Sequence, residues 1–223
     1  MRKAEIIRTT KETDIKVSIA FDGEGKADIS TGIGFFDHML TALSVHSGIS
    51  MDIKVKGDLY VDGHHTVEDT GIVLGQAFAK ALGDKSGIKR YASAYIPMDE
   101  SLALASMDIS NRPFLVFNAD LKNEKIGEYD TCLTEEFFRS FAFNAGITLH
   151  INLLYGSNDH HKCEAIFKSV AHALKIATEI TEKGKTLSTK DHHQQQYHNY
   201  CYLLRCPKYT NRMYPSVLWN YCL

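Results

Sequence analysis

Hydrophobic and polar positions along this chain switch repeatedly between a period of two and a period near 3.6. Ile15, Val17, Ile19 and Phe21 alternate with polar residues, so residues 4–22 read as strand. Asp22-Gly23-Glu24-Gly25 then predicts a tight hairpin, with residues 26–31 as the returning strand. Beyond Gly32 and Gly34, residues 35–43 take helical spacing, and Gly48 is placed to end that helix. Ile49, Met51, Ile53 and Val55 alternate again as a half-buried strand. Gly57-Asp58 and Asp62-Gly63 bracket a short connection. Residues 66–82 are helical in spacing, stopped by Gly83-Asp84.

The second half repeats this order. Residues 95–109 read as an apolar β stretch, 113–120 as a strand, 135–143 as a helix, and 147–153 as an alternating strand. A last helix, marked by Ile166, Val170, Leu174 and Ala177, is predicted to run to about Glu182. Each half thus contains a helix built on Phe-Phe, a strand, a Gly-containing turn and a helix opening on His-His-x-x-Glu. In this register Asp52 lies opposite His150, and His38 has no counterpart. An internal duplication explains the pattern. It predicts an α+β fold of two similar β-sheets with helices packed between them. Residues 1–90 and 91–190 would be half-repeats of one integrated domain.

Residues 191–223 break the pattern. They hold six of eleven tyrosines, three of five cysteines and the single Trp, with neither period surviving. They read as an atypical, poorly ordered tail.

Composition narrows the function classes. A charged fraction of 23% and a net charge of −2 give no field that would attract nucleic acid or an anionic membrane. No apolar run reaches the roughly 20 residues of a membrane span. The first residues lack a secretory core, so a cytoplasmic setting is expected. Only Cys132 and Cys163 precede the tail, which argues against disulfide stapling.

The histidines carry the chemistry. His64 and Glu68 are four apart and share a helix face, as do His160 and Glu164. Imidazole with carboxylate suits a divalent transition metal. His65 and His161 point about 100° away from their neighbours, so each pair should feed two sites. Two ions, each with three imidazoles and one carboxylate, would use His38, His64, His65, Glu68, His150, His160, His161 and Glu164. One division gives His64, Glu68, His150 and His161 to one ion, and His38, His65, His160 and Glu164 to the other. Such sites are internal if His64 meets His161 within one chain, and otherwise lie between subunits. Arg90, Arg112, Ser188, Thr189 and Lys190 are candidate anion binders, since arginine forks suit a phosphate dianion. Glu12, Asp99, Glu100 and Asp108 are candidate proton-transfer carboxylates.

Over residues 8–190 the sequence resembles imidazoleglycerol-phosphate dehydratase, a lyase family of histidine biosynthesis. The resemblance rests on Arg8-Thr9-Thr10-Lys11-Glu12-Thr13, Gly32-Ile33-Gly34-Phe35-Phe36-Asp37-His38, Asp62-Gly63-His64-His65-Thr66-Val67-Glu68-Asp69, Ser110-Asn111-Arg112-Pro113, Asn158-Asp159-His160-His161-Lys162-Cys163-Glu164 and Ser188-Thr189-Lys190. It implies a duplicated, ribosomal protein S5 domain 2-like fold and removal of water from imidazole glycerol phosphate to give imidazole acetol phosphate. It also implies two Mn2+ per active site on the eight donors above, and a homo-oligomeric, 24-subunit octahedral shell with metal sites at subunit contacts. Residues matching Arg90, Arg112, Ser188 and Lys190 would hold the substrate phosphate, with Thr189 beside them. Glu12, Glu68 and Glu164 are the carboxylates expected at the reacting centre. The ring N–H proton would be lost to give a metal-stabilised imidazolate that expels the hydroxyl, and Glu12 would take the neighbouring C–H proton. A metal-buffering protein or a metallohydrolase are the rival readings. No Gly-rich phosphate loop of known spacing supports a nucleotide-binding fold.

Overall fold

The structure, a computed structural model, describes residues 2–181. The predicted anion binders Ser188, Thr189 and Lys190 and the tail at 191–223 lie outside the described residues.

The first half runs β1 (Lys3–Thr9), β2 (Thr13–Ala20), β3 (Ala27–Ser30), α1 (Gly34–Ser47), β4 (Ser50–Gly57) and α2 (His64–Leu82). The second runs β5 (Tyr91–Met98), β6 (Ser101–Asp108), β7 (Phe114–Asn118), a small hairpin of β8 (Lys125–Ile126) and β9 (Tyr129–Asp130), α3 (Leu133–Ala145), β10 (Thr148–Tyr155) and α4 (Asp159–Ala177). Strand order is β1-β2-β4-β3 in one sheet and β5-β6-β10-β7 in the other. The last pair of each sheet is parallel and the others are antiparallel. The duplication predicted from the sequence is therefore a duplication of topology, with the β8–β9 hairpin as the insertion peculiar to the second half.

Alternation along the strands buries one face of each sheet: Ile15, Val17, Ile19, Met51 and Ile53 in the first, Ala103, Ala105, Met107, Leu149 and Ile151 in the second. Helices cover these faces. α2 packs on β1 and β2, and α4 on β5 and β6. The helix layer is stitched across the halves, with α1 against α4 and α2 against α3. The two Phe-Phe pairs meet at its centre. Phe36 packs edge-on to Phe137 at 5.3 Å between ring centroids, and Phe138 lies 4.7 Å from Phe167.

The α2–α3 contact is close because α2 presents Gly71 and Gly75. A Cβ at Gly75 would come within 2.7 Å of the Phe141 carbonyl oxygen and of the Asn144 Cβ. Gly75→Ala is therefore expected to lower stability by about 1–3 kcal/mol through overpacking, despite the better helix propensity of Ala, as read from the urea midpoint at unchanged m-value.

The structure corrects four expectations. Residues 22–25 do not form a β-hairpin: β3 lies parallel to β4, with Ala27 facing Met51, on the far side of the sheet from β1. The two edges of β2 are already taken by β1 and β4, so no edge remains for β3. The true hairpin breaks residues 4–22 at 10–12, where Thr10 Oγ1 accepts the backbone N–H groups of Glu12 and Thr13. Residues 95–109 likewise split into β5 and β6 at Asp99-Glu100, Asp99 adopting φ 47°. Finally, α4 ends at Ala177 instead of near Glu182. The chain turns after Thr178 to run beside residues 87–90, where the N–H of Arg90 donates to the Ala177 carbonyl at 2.8 Å and that of Thr181 to the Gly87 carbonyl at 2.9 Å.

Candidate active site

Helices α1, α2 and α4 each place chemistry-bearing side chains near their N-terminal ends. Asp37 anchors the entry to α1, its Oδ1 accepting from the backbone N–H (2.8 Å) and hydroxyl (2.6 Å) of Thr31, and this sets His38 one turn into the helix. The N–H of His160 donates to Oδ1 of Asn158, the N-cap of α4, and that of His64 donates to Oδ1 of Asp62, one residue ahead of the Gly63 N-cap of α2, so a side-chain oxygen two residues back holds the start of each His-His pair.

Three predicted metal ligands come together. One ligand atom each from His38, His160 and Glu164 lies within 4.8 Å of the others, the one such group of three among the described residues. Glu164 is buried (8% exposed), and its Oε2 is 3.5 Å from His160 Nε2 and 3.7 Å from His38 Nε2. Its other oxygen pairs with Lys168 Nζ at 2.6 Å. Burial works to raise the Glu164 pKa, but the Lys168 hydrogen bond and charge, with the two imidazoles, outweigh it and hold the carboxyl below its ordinary value. Two imidazole nitrogens facing one ionised carboxylate oxygen fit a divalent transition ion.

The second imidazole of each pair is held differently. His65 Nδ1 lies 3.0 Å from Asp58 Oδ2, and His161 Nδ1 lies 2.7 Å from Glu100 Oε2. A carboxylate only accepts, so Nδ1 carries the proton in both rings and Nε2 presents its lone pair while the ring is neutral. Metal-binding histidines are commonly oriented by such a bond. Each hydrogen bond also raises its imidazole's pKa above the ordinary value. Glu100 is itself fixed by the N–H groups of Ser157 (3.1 Å) and Asn158 (2.8 Å), which with His161 hold its carboxyl far below the usual range.

The remaining candidates stand apart from the cluster. His64 Nε2 faces Glu68 Oε2 at 3.5 Å on α2. His150 is exposed on β10, beside Ser106 of β6 and Val116 of β7. Glu12, on the β1–β2 turn, puts Oε1 4.0 Å from His65 Nε2, and Asp99 puts Oδ2 3.6 Å from His161 Nε2. Arg90 and Arg112 share one carboxylate. Asp108 accepts Arg90 Nε at 2.7 Å and Nη2 at 3.2 Å, and Arg112 Nη2 at 3.3 Å. Among the proton-transfer candidates, Asp108 and Glu100 are thus engaged as anchors.

Lys85 extends the cationic group, bonding Asn111 Oδ1. Burial pushes its ammonium down to about 8, against Asp108, which works to raise it. A lysine depressed on folding disfavours the folded state while charged, so stability rises with pH from about 8 towards the unfolded value near 10.4. Lys85→Met is expected to remove this rise, worth at most about 3 kcal/mol, when urea midpoints at pH 7.5 and 10 are compared.

Asp58, Asp69 and Lys168 were not among the candidate metal, anion or proton-transfer residues, although Asp58 stands in the Gly57-Asp58 turn and Asp69 closes the first His-His-x-x-Glu stretch. Lys168 was legible in principle, standing four residues after Glu164 on the same face. Asp58 and Asp69 gave no such signal, because their partners lie on other elements.

These findings agree with comparisons to known proteins. The imidazoleglycerol-phosphate dehydratase family model matches residues 31–174. The imidazoleglycerol-phosphate dehydratase of Clostridium kluyveri is 59% identical over 191 residues, covering 85% of this chain and 98% of that protein. That of Agrobacterium fabrum is also 59% identical over 191 residues, covering 85% and 96%. The crystal structure of the Staphylococcus aureus imidazoleglycerol-phosphate dehydratase superposes with a TM-score of 0.73 at 46% identity, covering 80% of this chain and 99% of that one. The Pyrococcus furiosus structure gives 0.71 at 39% identity, covering 82% and 98%. Similarity of this depth over most of the chain, on a shared fold, shows that the protein belongs to the imidazoleglycerol-phosphate dehydratase family and is a hydro-lyase.

Proposed function

We propose that this protein removes water from imidazole glycerol phosphate to give imidazole acetol phosphate, within histidine biosynthesis, and needs two divalent ions, Mn2+ by resemblance, to do so. The observation that carries the reading is the convergence of His38, His160 and Glu164 on one point, on two helices from different halves. The residues that would hold the ions are His64, Glu68, His150 and His161 for one, and His38, His65, His160 and Glu164 for the other. When bound, the ions supply Lewis-acid stabilisation of negative charge on the substrate's imidazole ring.

The chain's own groups do the rest. The Asp58 and Glu100 bonds orient the His65 and His161 Nε2 atoms and remove rotational freedom before an ion arrives. Glu12 takes the proton from the substrate carbon next to the leaving hydroxyl. Glu68 and Glu164 supply negative charge beside the imidazoles. Arg90 and Arg112, both bonded to the Asp108 carboxylate, bind the phosphate and fix the reacting carbons.

Assembly belongs to the same reading. His150 sits on the outer face of the second sheet, where Tyr95, Phe114 and Leu154 are also exposed. Burying that face against a second copy would bring His150 to donors of another subunit, as in a 24-subunit octahedral shell. Among the described residues, no helix is long and apolar enough to cross a membrane. A cytoplasmic enzyme fits this reading.

The test is turnover of imidazole glycerol phosphate, followed by ultraviolet absorption of the product's enolate, with manganese and after chelation, with particle mass measured in parallel. Full activity in chelated protein overturns the metal requirement. Arg112→Ala is expected to raise KM by roughly 10–100-fold, the cost of one charged hydrogen-bonding partner, while bound metal is unchanged. A metal-buffering protein would show no turnover in either form.

A further inference from the structure

The turn that carries Glu12 is tied down by a side chain the metal motif does not use. Asp69 follows Glu68 on α2 and lies one helical turn beyond His65. It is buried, 7% exposed, and its Oδ2 receives two contacts from the β1–β2 hairpin. The hydroxyl of Thr13, the first residue of β2, donates to it at 2.5 Å. The guanidinium of Arg8, next to the end of β1, makes an ion pair with the same oxygen through Nη1 at 2.5 Å, a charge contact without hydrogen-bond alignment. Both stems of the turn at residues 10–12 are therefore fastened to one carboxylate. Glu12 projects from between them, half-exposed, towards His65.

The duplication provides an internal control. The position equivalent to Asp69 in the second His-His-x-x-Glu helix is Ala165, which is fully buried on α4. The helix motif and its histidines thus form without a carboxylate there. The strand position equivalent to Thr13 is Ser101, whose hydroxyl instead turns to Glu100 at 3.1 Å. Only the half that carries Glu12 has the brace. A buried carboxylate paired to an arginine is a costly feature, and a hydrophobic replacement is often no less stable. Its presence in this half alone calls for a reason other than packing.

We propose that Asp69 is a positioning residue, which with Arg8 and Thr13 holds the Glu12 turn in register with the His65 imidazole so that the Glu12 carboxylate meets the substrate carbon. The proposal rests on the reading of Glu12 as the proton-transfer group. Glu12 has a flexible side chain on a surface turn, and without the brace its carboxylate would sample positions off the line of proton transfer. A misplacement of about 1 Å costs on the order of 10²-fold in rate.

The experiment is a double-mutant cycle on the metal-loaded protein, with limited trypsin cleavage as a readout that does not depend on turnover. Asp69→Ala is expected to lower kcat roughly 10²-fold while KM changes less than about threefold, because the ring and phosphate contacts remain. Asp69→Asn, which keeps an acceptor for Thr13 but not the charge for Arg8, should lie between Asp69→Ala and wild type. In a Glu12→Gln background, Asp69→Ala should cost nothing further in kcat, since it acts through Glu12. Trypsin cleavage after Lys11, exposed on the same turn, should accelerate roughly tenfold in Asp69→Ala with other sites unchanged, reporting local opening. Val170→Ala, a core truncation on α4, serves as the control for general destabilisation and should keep kcat within about twofold.

An equal kcat loss from Asp69→Ala in the Glu12→Gln background would overturn the proposal, as would cleavage rising at all sites together. If Glu12→Gln itself keeps wild-type turnover, the role of Glu12 fails and the catalytic meaning of the brace with it. The Lys11 cleavage would then still tell whether Asp69 holds the turn.

Discussion

Glu164→Gln is expected to strip the His38–His160–Glu164 cluster of its ion and to lower turnover by at least about 10²-fold, the upper end of what losing an outer-shell partner costs a metal site. The substitution is nearly isosteric, so the effect is one of charge. Among the described residues, Glu164 Oε2 is the one anionic atom facing both imidazoles, at 3.5 and 3.7 Å. An amide there is a poor ligand, and its NH2 group would donate into the space an ion needs. Lys168 keeps an acceptor in the amide oxygen but loses the negative charge it pairs with at 2.6 Å, so its ammonium becomes a repulsive neighbour of the ion. The measurement is metal content by elemental analysis after manganese loading and desalting, with circular dichroism to show that the fold is kept. The sign of the pH effect follows from the Glu164 shift. Its folded-state pKa is lowered, so its contribution to stability is present above the unfolded value and lost as pH falls through the folded one. The stability gap between wild type and Glu164→Gln in metal-free protein should therefore narrow once pH drops below about 4.

Glu12→Gln should behave in the opposite way with respect to metal. Turnover is expected to fall by roughly 10²–10⁴-fold, the range for loss of a general base, while manganese content and particle mass stay at wild-type values. Glu12 stands 4.0 Å from His65 Nε2, close to the predicted ligands without belonging to the three-residue cluster. Its half-exposed carboxylate has no ion-pair partner among the described residues other than His65. Retained activity in Glu12→Gln, with intact metal content, would move the base to another carboxylate, and Asp99 beside His161 is the next to replace.

Part of the three-residue cluster was legible before any fold was in hand, and the reason is local. His160 and Glu164 lie four apart on a helix, so their shared face follows from helical geometry alone. His38 is different. Nothing in its sequence neighbourhood points to Glu164, 126 residues away in order of chain, and only the packing of α1 on α4 brings them within reach. The same holds for the anchors. The bond of His161 to Glu100 crosses 61 residues and that of Thr13 to Asp69 crosses 56. Glu100 read from its sequence as a proton-transfer candidate, and the turn at Asp99-Glu100 that makes it an anchor was read as part of one β stretch, although Pro97, Asp99 and Glu100 interrupt its apolar residues. The misplaced hairpin at residues 22–25 has a related cause. A turn signature shows where the chain bends and says nothing of which strand it bends towards. With β1 and β4 on either side of β2, the strand after that turn had to join the far edge beside β4.

The amino-acid sequence by itself determined most element types, the duplication and the spacing of His160 from Glu164, because each depends on neighbours within a turn of helix or a few residues of strand. The tertiary structure decided which donors share a point in space, which carboxylate steadies each imidazole, and which strand edge each returning segment fills. Those depend on competition among distant segments for the same buried faces and hydrogen-bonding edges, and that competition is settled only when the whole domain packs.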